Sequence, residues 1–208
     1  MLKDIYRTLI EPSPEVLFKE KNSKFFGYGF PVSSEEEVKE HLEDLKKKYH
    51  QARHWCYAWQ IGKEEESRQF RANDDGEPSN SAGMPIYGQL LSFDLTNVLV
   101  VVVRYFGGTK LGVGGLIQAY KTAAQMALEN GGIAERTIDK TFEIKFDYPE
   151  MNVVMRVIKE NNLNILKQDL GLDCRIFISV RSSQAEEIFE KFAAIYKVEI
   201  SEMEDQLS

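Results

Sequence analysis

The stretch NVLVVVVRYFGGTKLGVGGLIQAY, residues 97–120, carries the most regular pattern in this chain of 208 residues. Every position from 98 to 103 is apolar, which is typical of a central strand covered on both faces. Five glycines follow within nine positions, and from Gly115 apolar residues recur at helical spacing. The stretch therefore predicts a buried strand, a glycine-rich loop over residues 107–115, and a helix that stops at Gly131 and Gly132.

A loop between a strand and a helix often approaches a phosphate, because the first N–H groups of the helix are free and its dipole is positive there. The glycines match neither GxxxxGK[ST] nor GxGxxG, so no nucleotide motif is present. Glycine backbones can still form an anion-binding nest, with Arg104 and Lys110 as charged partners. The alternative is a tight connection in which glycines only permit close packing, and the spacing leaves both open.

The charge distribution bears on this choice. The chain has 33 acidic and 26 basic residues, a net charge of −7, which argues against nucleic-acid binding by bulk charge. Between Leu95 and Leu128 there is no acid, and the charged residues are Arg104, Lys110 and Lys121. The glycine-rich loop thus lies in a locally positive segment.

The cysteines and the apolar runs indicate the compartment. Cys56 and Cys174 have no second cysteine at metal or redox spacing, so neither a zinc site nor a disulfide framework is indicated. The longest apolar run, residues 98–103, is too short to cross a bilayer. We expect a cytoplasmic protein without a membrane partner.

The remaining periodicities predict an α+β protein of two domains. Before the central strand we expect a first strand over residues 25–32, a helix that begins at Ser34, strands over 54–62 and 69–72, and a helix with Pro85 in its first turn. After Gly132 the pattern is β-α-β-β-α-β, the ferredoxin-like order. The domains are predicted as residues 1–135 and 136–208.

The acidic turn NDDGEP, residues 73–78, is a candidate metal site. Asp74, Asp75 and Glu77 could hold Mg²⁺ through carboxylate oxygens, as the cofactor of a phosphate site. The alternative is an ordinary turn with solvated acids, because Asp-Gly and Glu-Pro are common turn formers.

Histidines and aromatics near the second strand give weaker signals. His50 and His54 lie at a junction between a helix and a strand and have no third donor at zinc spacing. No Ser-His-Asp or Cys-His unit can be assembled from spacing. Trp55, Tyr57 and Trp59 alternate on one strand face, which fits either base stacking or a core, and aromatics at this period are more often core.

Three blocks together resemble the IMPACT/YigZ family, namely RHWCYAWQIG, NDDGEPSNSAGMPI and NVLVVVVRYFGGTKLGVGGLIQAY, in the order of that family. The resemblance implies a first domain with a β-α-β fold like that of a small-subunit ribosomal protein and of domain IV of elongation factor G. It implies a small ferredoxin-like second domain. The chain has about twenty residues before its first predicted strand and so no RWD domain, which makes a bacterial-type member the expectation.

The resemblance also implies site residues, with Asn80 and Ser81 standing where members commonly carry Gly and Thr. Asp74, Asp75 and Glu77 match the family's DDGEP motif. The remaining candidate ligand or nucleic-acid contacts are Arg104, Phe106, Gly107, Gly108, Lys110, Gly112, Gly114, Gly115, Lys121 and His54.

We expect a non-enzymatic protein that associates with RNA or the ribosome and takes part in the regulation of translation. Arg104, Lys110 and Lys121 would contact backbone phosphate. One alternative is a magnesium-dependent enzyme or sensor of a phosphorylated small molecule that uses the glycine-rich loop and the DDGEP acids. Another is an adaptor with a protein partner in translation control, as in eukaryotic relatives.

Overall fold

The computed structural model describes residues 4–171 and 173–203, which form two compact units. One unit is Ile5–Arg136, and the other contains Asp4 and the described residues from Thr137 onward. Asp4 groups with the second unit because its carboxylate accepts a hydrogen bond from the Ser183 backbone N–H at 2.7 Å. We propose a domain boundary after Arg136, one residue beyond the boundary predicted from the sequence.

The first unit is built on a five-stranded antiparallel sheet, with a separate two-stranded sheet of its first and last strands. Its elements in chain order are β1 (Ile5–Leu9), β2 (Val16–Glu20), β3 (Ser23–Pro31), α1 (Glu35–Lys48), β4 (His54–Ile61), β5 (Gln69–Asn73), α2 (Gly83–Ser92), β6 (Val98–Tyr105), α3 (Gly112–Asn130) and β7 (Ile133–Thr137). The order in the large sheet is β2-β3-β6-β4-β5.

Strand β6 lies at the centre of this sheet, as its unbroken apolar run predicts. Alternate residues of β6 enter two cores, one on each face of the sheet. Val98, Val100 and Val102 pack with residues of α2 and α3, while Leu99 and Val101 pack with residues of α1. Burial on both faces explains why the strand has no polar position until Arg104.

The structure differs from the sequence-based expectation at three strands and one helix. Strands β1, β2 and β7 were not predicted from the sequence. The strand predicted as the first, over residues 25–32, is therefore β3 of the structure. The turn between β2 and β3 is formed by Lys21 and Asn22 with φ of 46° and 65°, a left-handed pair without the glycine that usually marks such a turn. Helix α3 begins at Gly112, so three of the five loop glycines lie in its first turn.

Helix α1 begins as its sequence indicates, with one difference in the cap. The Ser34 hydroxyl accepts a hydrogen bond from the Glu37 backbone N–H at 3.3 Å. In return, the Glu37 carboxylate accepts from the Ser33 backbone N–H at 2.7 Å, rather than from Ser34 as in the usual capping box.

The second unit has the ferredoxin-like topology that the sequence predicts. Its elements are β8 (Asp139–Asp147), α4 (Met151–Glu160), β9 (Asn164–Leu170), β10 (Asp173–Arg181), α5 (Ala185–Ala193) and β11 (Val198–Met203). The antiparallel sheet has the order β11-β8-β10-β9, and one face is covered by both helices through Val154, Ile158, Ile188 and Phe192. The α+β class and this order confirm the predicted fold.

Within the described part of the chain, every helix is too short or too polar to cross a membrane.

Candidate functional site

Three polar side chains meet at one end of the large sheet. His54, the first residue of β4, is the cross-strand partner of Arg104 at the end of β6, so both side chains lie on the face covered by α2 and α3. Glu77 of the acidic turn lies against them. Its Oε1 is 2.6 Å from Arg104 Nη1 and 4.0 Å from His54 Nε2. The acidic turn and the strand before the glycine-rich loop therefore form one connected region.

A buried hydrogen-bond chain extends this region into the core. The Tyr120 hydroxyl of α3 donates to Glu77 Oε1 at 2.8 Å, and the Cys56 thiol donates to the Tyr120 oxygen at 3.3 Å. Burial raises the pKa of the Cys56 thiol and the pKa of the Tyr120 hydroxyl, so both groups stay protonated at neutral pH. A protonated thiol is a poor nucleophile, which makes a structural role the better account of this chain.

The two aspartates of the acidic turn hold backbone groups. Asp74 Oδ1 accepts from the backbone N–H groups of Ala82 and Gly83, at 2.9 and 2.8 Å, where α2 begins. Asp75 Oδ2 accepts from the Trp55 backbone N–H at 2.7 Å. Asn80 has φ of 59°, the left-handed conformation that glycine adopts most easily, so this departure from the family pattern preserves the turn.

These partners leave the predicted magnesium site without geometric support. Asp74, Asp75 and Glu77 each accept hydrogen bonds from the protein. Across residues 4–171 and 173–203, no group of three His, Cys, Asp or Glu side chains is arranged to hold a metal ion.

The position of Arg104 corrects the role predicted for its side chain. The side chain is only 6% exposed, and its Nη1 is occupied by Glu77. Its guanidinium carbon lies 5.4 Å from the ring centre of Phe25 and 5.6 Å from that of Phe106. Nη2 donates to Ser23 Oγ, which also accepts from the Gly107 backbone N–H at 3.1 Å. Arg104 therefore supports the loop from beneath instead of facing a phosphate.

The glycines of the loop serve different purposes. A Cβ on Gly107 would lie 2.0 Å from the backbone carbon of Asn22, so this glycine permits a close approach of two chain segments. Gly108 and Gly112 have φ of 86° and 73°, where other residues are strained. A Cβ on Gly114 would meet no atom within 4 Å, and its φ does not require glycine. Packing within the chain therefore explains Gly107 but leaves Gly114 unexplained.

The surface above these glycines is open. Helix α3 has no side-chain cap, and Lys110 and Gly112 at its start are exposed. Lys121 is also exposed, but it lies nine residues after Gly112 in α3, about 14 Å further along the helix axis. The His54 ring is engaged with the acidic turn, because its Nδ1 contacts the Asp75 carbonyl at 2.8 Å. Of the predicted contacts, Phe106, Gly108, Lys110, Gly112 and Gly114 are exposed within one continuous stretch of the chain.

Sequence reasoning missed Ser23, Cys56 and Tyr120 as parts of this region. Tyr120 occupies a buried position of the predicted helix, and its spacing indicated burial. The pairing of its hydroxyl with Glu77 depends on a contact between residues 43 positions apart, which local periodicity does not reveal.

Comparisons with known proteins give the same family as the motifs. The family model of the Impact N-terminal domain matches residues 21–128. An IMPACT family member of Haemophilus influenzae is 31% identical over 201 residues, covering 92% of this chain and 96% of its own. The IMPACT family member YigZ of Escherichia coli is 28% identical over 186 residues, covering 89% of this chain and 91% of its own.

A solved structure extends the likeness to the whole fold. A crystal structure described as that of a hypothetical protein has a TM-score of 0.70 and 25% identity, covering 99% of this chain and 100% of its own. The family model spans the acidic turn, the glycine-rich loop and most of α3, and the relatives extend through both units. The chain belongs to the IMPACT family.

Proposed function

We propose that this chain is a non-enzymatic regulator of translation that binds the phosphate backbone of RNA, free or within the ribosome, through the start of α3. One observation carries the proposal. The loop of residues 106–111 and the first turn of α3 offer Lys110, an uncapped helix N-terminus and open space above Gly114. Free N–H groups at a positive helix end favour an anion, and a lysine adds charge.

The local electrostatics support an anionic ligand in spite of the net charge of −7. The acids of the DDGEP turn are engaged, because Asp74 and Asp75 accept backbone N–H groups and Glu77 pairs with Arg104. No acid occurs between Leu95 and Leu128. The remaining acidic surface would discourage binding elsewhere, which restricts contacts with nucleic acid to this site.

The enzymatic alternative has no observation in its favour. Its acids are occupied by protein donors, and the buried Cys56 and Tyr120 are held in their protonated forms. Family membership supports a role in translation control, and the resemblance of the motifs to those of eukaryotic regulators supports a protein partner there as a further expectation. With RNA or the ribosome as its partner, the protein would act in the cytoplasm.

Sedimentation with ribosomes across a salt series tests this proposal. We expect cosedimentation at low salt that declines as salt rises, because phosphate contacts release counterions. Lys110→Ala should weaken binding at every salt concentration and reduce the salt slope by about one. Lys46→Ala is the matched control, since Lys46 is an exposed lysine on α1, on the opposite face of the sheet.

Two results would contradict the proposal. The first is a lack of cosedimentation at the lowest salt with ribosomes or with free RNA. The second is equal binding by wild type, Lys110→Ala and Lys46→Ala, which would show that the start of α3 is not the contact.

A further inference from the structure

A recess lies near the glycine-rich loop on the face of the sheet that α1 covers. Side chains alternate along β6, so Tyr105 faces the α1 side while Arg104 faces the α3 side. Beside Tyr105 lies a cavity of about 300 Å³, which is at the lower end of the range of small-molecule pockets. Its lining consists of Asn22, Lys24, Phe26, Tyr49, Tyr105 and Phe106.

Aromatic rings form most of the wall. Phe26 lies 5.1 Å from Tyr49 and 5.9 Å from Tyr105 between ring centres, and the latter pair is nearly perpendicular. Tyr49 is buried and Phe26 and Tyr105 are partly buried, so their rings are held by packing. Phe106 is 46% exposed and belongs to the loop that leads to α3. The pocket therefore has a fixed aromatic floor and one accessible ring.

The polar groups of the pocket favour a hydrogen-bonding ligand that carries a negative charge next to the bound group. Lys24 is exposed at the rim, and none of the six lining residues is acidic. The Asn22 side chain offers both a donor and an acceptor, as recognition of a base edge requires. The Tyr49 hydroxyl donates a hydrogen bond to Glu15 Oε2 at 2.7 Å, which holds its ring in place.

We propose that this pocket receives one unpaired base of single-stranded RNA, while the adjacent phosphate meets the start of α3. This inference rests on the function proposed above and adds to it the class of RNA. Aromatic rings beside a positive backbone site are the arrangement that binds single strands, because every base has a face that can stack. A base inside a duplex cannot reach such a pocket without leaving the stack.

Fluorescence anisotropy with two labelled RNAs tests the inference, using the full chain at low salt. The probes are an oligouridine and an RNA duplex of the same length. Phe106→Leu keeps an apolar side chain but removes the stacking ring, and we expect it to weaken oligouridine binding about tenfold and duplex binding much less. Phe106→Trp should restore oligouridine binding. Lys110→Ala should weaken binding of both RNAs.

A second measurement locates the base without relying on a variant. Ultraviolet crosslinking of an oligouridine that carries one 4-thiouridine should attach to the peptide that contains Tyr105 and Phe106, or to the one that contains Asn22 and Lys24. Crosslinks confined to other peptides would overturn the inference.

The outcomes separate the two proposals. If wild type binds neither RNA at low salt, the proposed function fails and the pocket inference fails with it. If wild type binds both RNAs and Phe106→Leu weakens neither, RNA binding stands and the base pocket is wrong. Binding of a proline-rich peptide that Phe106→Leu abolishes, with RNA binding unchanged, would assign the aromatic pocket to a peptide instead.

Discussion

Glu77 and Arg104 form a buried ion pair, with 2.6 Å between Oε1 and Nη1 and side chains that are 5% and 6% exposed. Glu77 belongs to the acidic turn before α2, and Arg104 ends the central strand β6. The pair therefore fastens the turn to the sheet directly beneath the loop that leads to α3. Because both groups are shielded from water, removal of either one would leave the other buried without its counter-charge.

Removing one partner of this pair should be costly. We expect Glu77→Ala to lower the free energy of unfolding by about 3–5 kcal/mol, since it leaves the Arg104 charge buried and unpaired. Urea unfolding followed by tryptophan fluorescence measures the loss. Glu66→Ala, in an exposed turn, is the control and should change stability by less than about 0.5 kcal/mol. Similar losses in both variants would contradict a buried role for Glu77.

The aspartate at position 74 should behave as a helix cap. Asp74→Ala deprives the Ala82 and Gly83 N–H groups of their acceptor, and we expect a loss of about 1–2 kcal/mol. Asp74→Asn retains one acceptor oxygen and should lose less. Thermal unfolding with and without Mg²⁺ shows whether Asp74 acts as a helix cap or as a metal ligand. A rise in the wild-type melting temperature with Mg²⁺ that Asp74→Ala abolishes would favour the metal.

Two glycines of the loop should respond in opposite ways to alanine. Gly107→Ala places a Cβ 2.0 Å from the Asn22 backbone, so the melting temperature should fall by several degrees. Gly114→Ala meets no atom and lies inside α3, so stability should rise by about 0.5–1 kcal/mol. If a backbone phosphate approaches Gly114, its alanine variant should nevertheless bind RNA more weakly. A stable Gly114→Ala variant with wild-type RNA binding would mean that no ligand comes close there.

The free energy of unfolding should depend on pH through Glu15. Its carboxylate accepts hydrogen bonds from Lys48 at 2.9 Å, from Tyr28 at 2.5 Å and from Tyr49 at 2.7 Å. These donors, Lys48 foremost, lower the pKa of Glu15 from 4.5 to about 2. A lowered pKa in the folded state contributes stability above pH 4.5, and that contribution is lost as the pH falls toward 2.

Glu15→Gln tests this pH dependence. At pH 7 the variant should be less stable by about 1 kcal/mol, because the pair with Lys48 is partly exposed. Urea midpoints measured from pH 7 to pH 2 should show the gap between wild type and variant closing below pH 4.5. A gap that stays constant over this range would contradict the assignment.

Much of the fold follows from local patterns. The apolar run of β6 and the alternation in β4 required no long-range information, because burial on one or both faces imposes a period that is visible in a short window. The ferredoxin-like order of the second unit follows in the same way. Strands β1, β2 and β7 escaped prediction because they are short and their burial is mixed, so no clear period marks them.

The candidate site was predicted in its components and not in its arrangement. The acidic turn and the glycine-rich loop were both recognised from the sequence, each between a predicted strand and a predicted helix. The fold class, the family and the acid-free segment also come from the sequence, since each is a property of composition or of neighbouring residues.

Only the tertiary structure decided which charges are free. Arg104 and Lys110 are six residues apart and look alike as phosphate contacts, yet one is enclosed by Glu77, Ser23 and two rings while the other is exposed. The difference arises from residues 27 and 81 positions away from Arg104. Local periodicity indicates which face a side chain takes, but the pairing of charges across a sheet depends on how distant segments come together.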